Sequence, residues 1–197
     1  TRLRRLLLPI TPLVLVWTAA TWVAGRAGVE PDLVRHATRA AVIPVWFLAV
    51  YVMVTLVVPV SYRVWQRIGA WSIAALVAGA VLLDLAGFVA GAGWARWANY
   101  GFVWLAMHQM GYWWRDGIGL RAAPLLLTVA GIAALWLLVG PLGYPVAMIS
   151  VPGAELSNTR PPTVAMLAIG FIQAGLILGV SERVARWLEN PSRWAAV

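Results

Sequence analysis

The chain has 197 residues, of which 62% are hydrophobic and 11% are charged, whereas soluble domains carry about 25% charged residues. Long apolar runs recur along the whole sequence, which excludes a soluble globular domain and makes the lipid bilayer the expected solvent. The formal net charge is +8 and Cys is absent, so disulfides, thiolate catalysis and thiolate metal sites are excluded.

Six apolar stretches are long enough to be membrane-spanning helices. Their predicted bounds are residues 6–24, 41–60, 70–90, 98–114, 122–139 and 163–180. A polar loop over residues 25–39 separates the first two spans, and a long loop over residues 142–162 separates the last two. The predicted fold class is therefore all-α: a polytopic integral membrane helical bundle of about six transmembrane helices.

The residues after the last span, 181–197, are predicted to form a cytoplasmic amphipathic tail. Val184, Trp187 and Leu188 share one face of a helix at spacings of three and four residues. Such a helix is typical of segments that lie on the membrane surface.

The distribution of Arg predicts the orientation. If the chain starts on the cytoplasmic side, the inner segments carry ten Arg and the outer segments carry five, in agreement with the positive-inside rule. We therefore predict that both ends are cytoplasmic and that the protein is a multi-pass protein of the plasma (inner) membrane. Because these Arg flank apolar runs, their role is to orient the spans, and nucleic acid is not expected as a partner.

The start of the chain has its own pattern. Thr1 is followed by Arg2, Arg4 and Arg5 without the apolar core and cleavage site of a signal peptide, so we expect the chain to be part of a longer protein. Arg2 and Arg5 are three residues apart and lie on one helix face, where two guanidinium groups could hold a phosphate-rich ligand. The alternative is that they only anchor the cytoplasmic end of the first span.

Asp84 and His108 are the ionisable residues deepest within predicted spans. A charge in hydrocarbon is costly, by about 2.5–3.5 kcal/mol or more, so such residues usually have a partner or a function. Helix rise places both between the midplane and the outer face, within roughly 6–9 Å of each other in depth. They could pair or line one wet cavity, or each could make a separate structural hydrogen bond. His36 and His108 are too few and too far apart to predict a metal site.

The outer loop before the last span is a candidate substrate rim. It carries Ser157, Asn158, Thr159 and Arg160 before a Pro pair, and these residues could either bind a polar acceptor or cap the following helix. Two pairs of glycines four residues apart, Gly87 with Gly91 and Gly175 with Gly179, predict close helix packing, within the chain or against other subunits.

Four stretches then carry a family resemblance. They are Arg2-Leu-Arg-Arg5 before Leu-Leu-Leu-Pro9, Pro44-Val-Trp46-Phe47-Leu48-Ala-Val-Tyr51, Trp104-Leu-Ala-Met-His108-Gln109-Met-Gly111 with Trp114-Arg115-Asp116-Gly117, and Val151-Pro-Gly-Ala-Glu-Leu-Ser-Asn158-Thr-Arg-Pro-Pro162-Thr. Their order along nearly the whole chain resembles the acyltransferase-3 family of multi-span membrane acyltransferases, especially its actinobacterial forms.

The resemblance implies an enzyme that moves an acyl group from cytoplasmic acyl-CoA to a hydroxyl of an envelope glycan, glycolipid or secondary metabolite. Acyl-CoA is then the donor substrate, no cofactor is bound, and the Arg2 and Arg5 pair handles the donor. Trp46, Asn158 and Arg160 are the predicted substrate-binding residues. The family's essential His lies on an earlier span, to which neither His36 nor His108 corresponds. The catalytic residue is therefore unassigned, with Asp84 and His108 as candidates, and the chain resembles the carboxy-terminal portion of the enzyme.

Two other functions are compatible with the residues. A non-catalytic scaffold or accessory subunit of an envelope-assembly complex would use the glycine faces and the surface helix to bind other membrane subunits. A proton-coupled transporter would use Asp84 and His108 as a proton relay.

Overall fold

The computed structural model describes residue 8 and residues 10–117, 123–148 and 157–189. Contacts divide the chain into two compact units, Thr1–Val58 and Pro59–Val197. The boundary falls inside a helix at Pro59, whose ring removes a backbone donor.

All regular structure in the described residues is helical. The six helices are α1 (Ile10–Arg26), α2 (Pro31–Ile68), α3 (Trp71–Phe88), α4 (Ala95–Arg115), α5 (Ala123–Val139) and α6 (Val164–Leu188). In this part of the chain the only extended pairing is an isolated bridge between Thr159 and Pro162. The predicted all-α class is confirmed.

Three segments of the described helices are long and apolar enough to cross a membrane. They are Trp46–Ile68 in α2, Trp71–Phe88 and Val164–Ser181. Helix α5 is also apolar but shorter, and α4 carries Asn99, His108 and Gln109 between the arginines near its two ends. The number of six spans and the cytoplasmic position of both ends stay predictions.

Helix α2 is longer at both ends than the predicted second span. It begins at Pro31 and ends at Ile68, so the loop predicted over residues 25–39 is wrong from residue 31 onward. Proline fits the first helical position because its fixed φ is already helical. Asp32 lies in the first turn, where a carboxylate is favourable, and it pairs with Arg35 one turn later. The polar residues therefore lie on a helix rather than in a loop.

The first unit contains α1 and the start of α2, joined by a short turn. Gly28 adopts a positive φ of 73° there, a conformation that side chains rarely adopt. An apolar groove runs along this unit and is lined by Trp17, Thr21, Val29 and Leu33 among others. Trp46 packs edge-to-face against Phe47, with ring centroids 6.2 Å apart.

The second unit is built from two antiparallel helix pairs, α3 with α4 and α5 with α6. Helix α6 also packs on both α3 and α4. Ala80, Val103, Ala106 and Leu167, which come from these three helices, form the buried core between them. This arrangement places the end of α3, the start of α4 and the start of α6 together at one end of the unit.

Glycines set the closest approaches between these helices. A side chain on Gly175 would lie 2.5 Å from the backbone oxygen of Pro124, and one on Gly131 would lie 2.8 Å from that of Ala168. The predicted packing role of Gly175 is thus fulfilled by α5 of the same chain. Gly87 meets Arg96, whereas Gly91 lies beyond the end of α3 with a φ of 68° and is a turn residue.

Helix α6 continues without interruption from Val164 to Leu188. The start of the predicted tail, residues 181–188, is therefore the last two turns of this helix. The side chains of Val184, Trp187 and Leu188 are exposed, and the position of this segment on the membrane surface stays a prediction.

Candidate functional site

The candidate site lies where α3 ends and α4 and α6 begin. Its centre is Asp84, a fully buried residue of α3. Asn99 of α4 donates a hydrogen bond of 2.7 Å to one carboxylate oxygen. The other oxygen accepts bonds from the Tyr144 hydroxyl, at 3.1 Å, and from the backbone N–H of Val164, at 2.8 Å.

These contacts make Asp84 a cap for α6. Val164 is the first residue of that helix, where the backbone N–H groups have no partner within the helix and favour a negative charge. A carboxylate from another helix supplies the acceptor. Asp84 therefore joins α3, α4, the segment after α5 and the start of α6, with all of its described hydrogen bonds inside the protein.

Tyr144, in the segment between α5 and α6, holds its proton firmly. Burial, together with the neighbouring Asp84 carboxylate, raises the pKa of Tyr144 well above 10. The phenol therefore stays a donor to Asp84 at physiological pH. Its ring also packs against Phe88, with centroids 5.2 Å apart.

The segment before α6 is fixed by Asn158, which is fully buried. Its amide donates to the backbone oxygen of Pro145, and its side-chain oxygen accepts a 2.7 Å bond from Thr163. Both ends of the side chain are thus used within the chain. Asn158 shapes the rim rather than presenting a free amide to a ligand.

Arg160 and Arg96 are two cations at this same end. Arg160 is exposed and acts electrostatically on Tyr100. Arg96, four residues before Tyr100 on α4, packs over Gly87 and places its guanidinium 4.4 Å from the centre of the Phe88 ring. The Nε and Nη2 atoms of Arg96 are buried and have no hydrogen-bond partner in the described part of the chain.

A second polar cluster lies at the opposite end of α4. Gln109 donates to the backbone and side-chain oxygens of Ser61, both at 3.0 Å, and accepts a bond from Ser72 at 3.1 Å. All three residues are buried. This cluster ties the end of α2 to α3 and α4.

The end of α4 is held by Asp116. The Trp65 indole N–H donates to its carboxylate at 2.6 Å, and Arg115 pairs with it at 2.7 Å. These two contacts hold the pKa of Asp116 below its ordinary value, so the carboxylate is ionised at neutral pH.

The chain was compared with protein-family models, curated proteins and solved structures. A family model described as an acyltransferase domain matches residues 1–196. The chain belongs to the acyltransferase-3 family. No curated protein and no solved structure gives a match.

Family membership and the apolar helices together identify a membrane acyltransferase. In this acyltransferase the predicted pair of Asp84 and His108 is not joined by a hydrogen bond, because the bonds of Asp84 go to other residues. His108 instead packs edge-to-face on Tyr112, with centroids 4.9 Å apart. Its Nδ1 is buried without a hydrogen bond among the described residues.

The structure brings together only some of the predicted site residues. Asp84, Asn158 and Arg160 lie at one end of the second unit of the acyltransferase, whereas Trp46 belongs to the first unit. Arg2 and Arg5 lie outside the described residues. The described residues contain no group of three His, Asp or Glu that could hold a metal ion.

Sequence reasoning about this acyltransferase missed Tyr144 and Arg96 as members of the site. Arg96 was counted only among the orienting arginines, and Tyr144 carried no signal because its partner is 60 residues away. Tyr144 comes shortly after the Gly140-Pro141 pair. That pair was the one signal in the sequence that the preceding helix ends and the chain turns there.

Proposed function

We propose that the protein transfers an acyl group from cytoplasmic acyl-CoA to a hydroxyl of an envelope glycan, glycolipid or secondary metabolite, in the plasma membrane. The observation that carries this proposal is the acyltransferase-domain match over residues 1–196. The donor, the acceptor and the membrane are inferred from the resemblance and from the distribution of Arg.

In this proposal the two ends of the helices have different tasks. Arg2 and Arg5 bind phosphate groups of acyl-CoA on the cytoplasmic side, because guanidinium groups match phosphate oxygens in pairs. Arg160, exposed at the Asp84 end, contacts the acceptor on the outer side. Asn158 supports that contact by fixing the backbone around it.

Asp84 is a positioning residue in this scheme. A general base must reach the acceptor hydroxyl, whereas Asp84 is fully buried and its hydrogen bonds go to groups of the protein. His108 has a buried Nδ1 without such a bond. Of the two catalytic candidates, His108 is therefore the one to substitute first, with loss of kcat as the expected result.

The test of the donor site uses the full-length protein in membrane vesicles with labelled acyl-CoA. We expect the double change Arg2→Gln and Arg5→Gln to raise the KM for acyl-CoA about tenfold or more, because each lost charge-assisted bond is worth roughly 1.5–3 kcal/mol. Arg4→Gln is the matched control: it removes one charge at a position that helical geometry would put on another face, and it should change KM much less.

Three results would count against the proposal. Unchanged kinetics in the double variant would remove the donor role of Arg2 and Arg5. Absence of acyl transfer from any acyl-CoA, in a protein that is folded and inserted, would favour the scaffold function. A substrate-dependent proton flux without acyl transfer would favour the transporter.

A further inference from the structure

The guanidinium of Arg96 has an empty binding edge. Nε–H and Nη2–H lie on the same side of the planar group and point in parallel, which is the edge that takes two oxygens of one anion. Both atoms are buried, and neither has a hydrogen-bond partner in the described part of the chain. A buried donor without an acceptor is destabilising, so an acceptor is expected.

The side chain is held in place for such a ligand. Its stem crosses Gly87, where any larger residue would collide with it, and its plane lies over the Phe88 ring at 4.4 Å. Stacking fixes the guanidinium without using its N–H groups. The bidentate edge is therefore oriented before a ligand arrives, which lowers the entropy cost of binding.

The surroundings favour an anion. Arg96 lies in the first turn of α4, where no acidic side chain occurs and the N-cap residue Trp94 makes no side-chain bond, so the positive end of the helix is uncompensated. Arg160 adds a second positive charge near Tyr100. Asp84, the nearby carboxylate, has its oxygens engaged by Asn99, Tyr144 and Val164.

We propose that the Nε and Nη2 edge of Arg96 binds a phosphate group. Phosphate is the anion that abounds where apolar helices end in a bilayer, and its paired oxygens match the guanidinium edge. The phosphate can belong to a phospholipid head group or to a water-soluble phosphorylated molecule such as a sugar phosphate. This proposal does not involve Arg2 or Arg5, and occupation of the site needs no acyl donor.

The test is a binding titration of the full-length protein in maltoside detergent and phosphate-free buffer, followed by phosphorus NMR line broadening. The two probes are dihexanoyl phosphatidylglycerol and glucose 1-phosphate. We expect Arg96→Gln to weaken binding of at least one probe about tenfold or more. The probe that depends on Arg96 identifies the source of the phosphate.

Three further variants make the result specific. Arg96→Lys keeps the charge but not the two parallel N–H donors, so it should also weaken binding. It gives the same information if Arg96→Gln does not fold. Arg26→Gln is the control, because Arg26 also stacks on an aromatic ring, at 4.3 Å from Trp22, and it should bind like the wild type. Glu155→Gln tests whether the acceptor is a carboxylate of the chain itself rather than a phosphate.

The proposal fails if neither probe binds, or if Arg96→Gln and Arg96→Lys bind both probes as tightly as the wild type. It also fails if only Glu155→Gln binds phosphate, because the edge of Arg96 would then belong to that carboxylate.

Discussion

The carboxylate of Asp84 receives donors from three parts of the chain: Asn99 on α4, Tyr144 after α5 and the first N–H of α6. An unpaired charge at this position would be very unfavourable in the membrane. The three bonds explain why Asp84 can lie in an apolar helix without a role as a proton relay. They also make Asp84 the residue that holds α3, α4 and the start of α6 together.

Replacement of Asp84 by Ala is expected to lower stability strongly. The change leaves the Asn99 amide, the Tyr144 hydroxyl and the Val164 N–H buried without their acceptor, at a cost of roughly 1–3 kcal/mol for each group that finds no substitute. The fall in the midpoint of thermal unfolding in detergent measures this cost. Asp32→Asn, at an exposed ion pair, should change stability by less than about 1 kcal/mol. Equal effects of the two changes would contradict the capping role of Asp84.

Asn158 and Arg160 are two residues apart but should behave differently. Asn158→Ala removes three hydrogen bonds from a fully buried site and should destabilise the protein by roughly 1–3 kcal/mol. Arg160→Gln should leave the unfolding midpoint unchanged and raise the KM for the acceptor. Thermal unfolding and acceptor kinetics of both variants check this. A stable Asn158→Ala protein with a raised acceptor KM would show that Asn158 binds the substrate directly.

At the scale of helices, contact between α5 and α6 depends on residues without side chains. Gly175 lies against the backbone of α5 so closely that an added Cβ would be 2.5 Å from the oxygen of Pro124 and 2.3 Å from the hydroxyl of Thr128. Backbone atoms cannot move aside as a flexible side chain would, so the two helices would have to separate.

Gly175→Ala should therefore destabilise the protein by about 1–3 kcal/mol, the usual cost of overpacking. Gly101 in α4 offers a matched control, because an added Cβ there meets no atom within 4 Å. Gly101→Ala should be neutral or stabilising by up to about 1 kcal/mol, since Ala favours helix. Unfolding of both variants in the same detergent gives the comparison. If Gly175→Ala is as stable as Gly101→Ala, the close approach of α5 and α6 is not required.

The sequence predicted the positions of the helices better than the contacts between them. Apolar runs located α3, α4, α5 and the start of α6 to within a few residues because hydrocarbon requires long helices with internal hydrogen bonds. The start of α2 was not predicted because its polar residues are typical of loops, although Pro31 and Asp32 are also helix-start signals.

The site was predictable only in part. Asp84 was recognisable as a costly charge in an apolar segment, but its Val164 partner is 80 residues away, a contact created by the docking of α6 on α3. His108 was one predicted partner beside the alternative of separate structural hydrogen bonds, because the sequence gives depth in the membrane but not rotation about the helix axis.

At the scale of the whole molecule, the predicted topology puts the Asp84 end and the start of α3 on opposite sides of the membrane. The chain contains no Cys, so single cysteines can report the side. With a membrane-impermeant maleimide on intact cells, Arg160→Cys should be labelled and Arg67→Cys only after permeabilisation. Both native side chains are exposed, so poor accessibility would not explain a difference. Labelling of Arg67→Cys alone in intact cells would reverse the orientation.

The contact between Asp84 and Val164 also has a consequence for biosynthesis. Asp84, the acceptor for the first turn of α6, is synthesised 80 residues before Val164. The helix that contains Asp84 can therefore already be in the bilayer when α6 emerges from the ribosome. We therefore expect α3 to pair with α4 first and the start of α6 to gain its acceptor when α6 docks on α3. A nascent chain that stops after α4 would leave the Asp84 carboxylate without the donors that Tyr144 and Val164 supply.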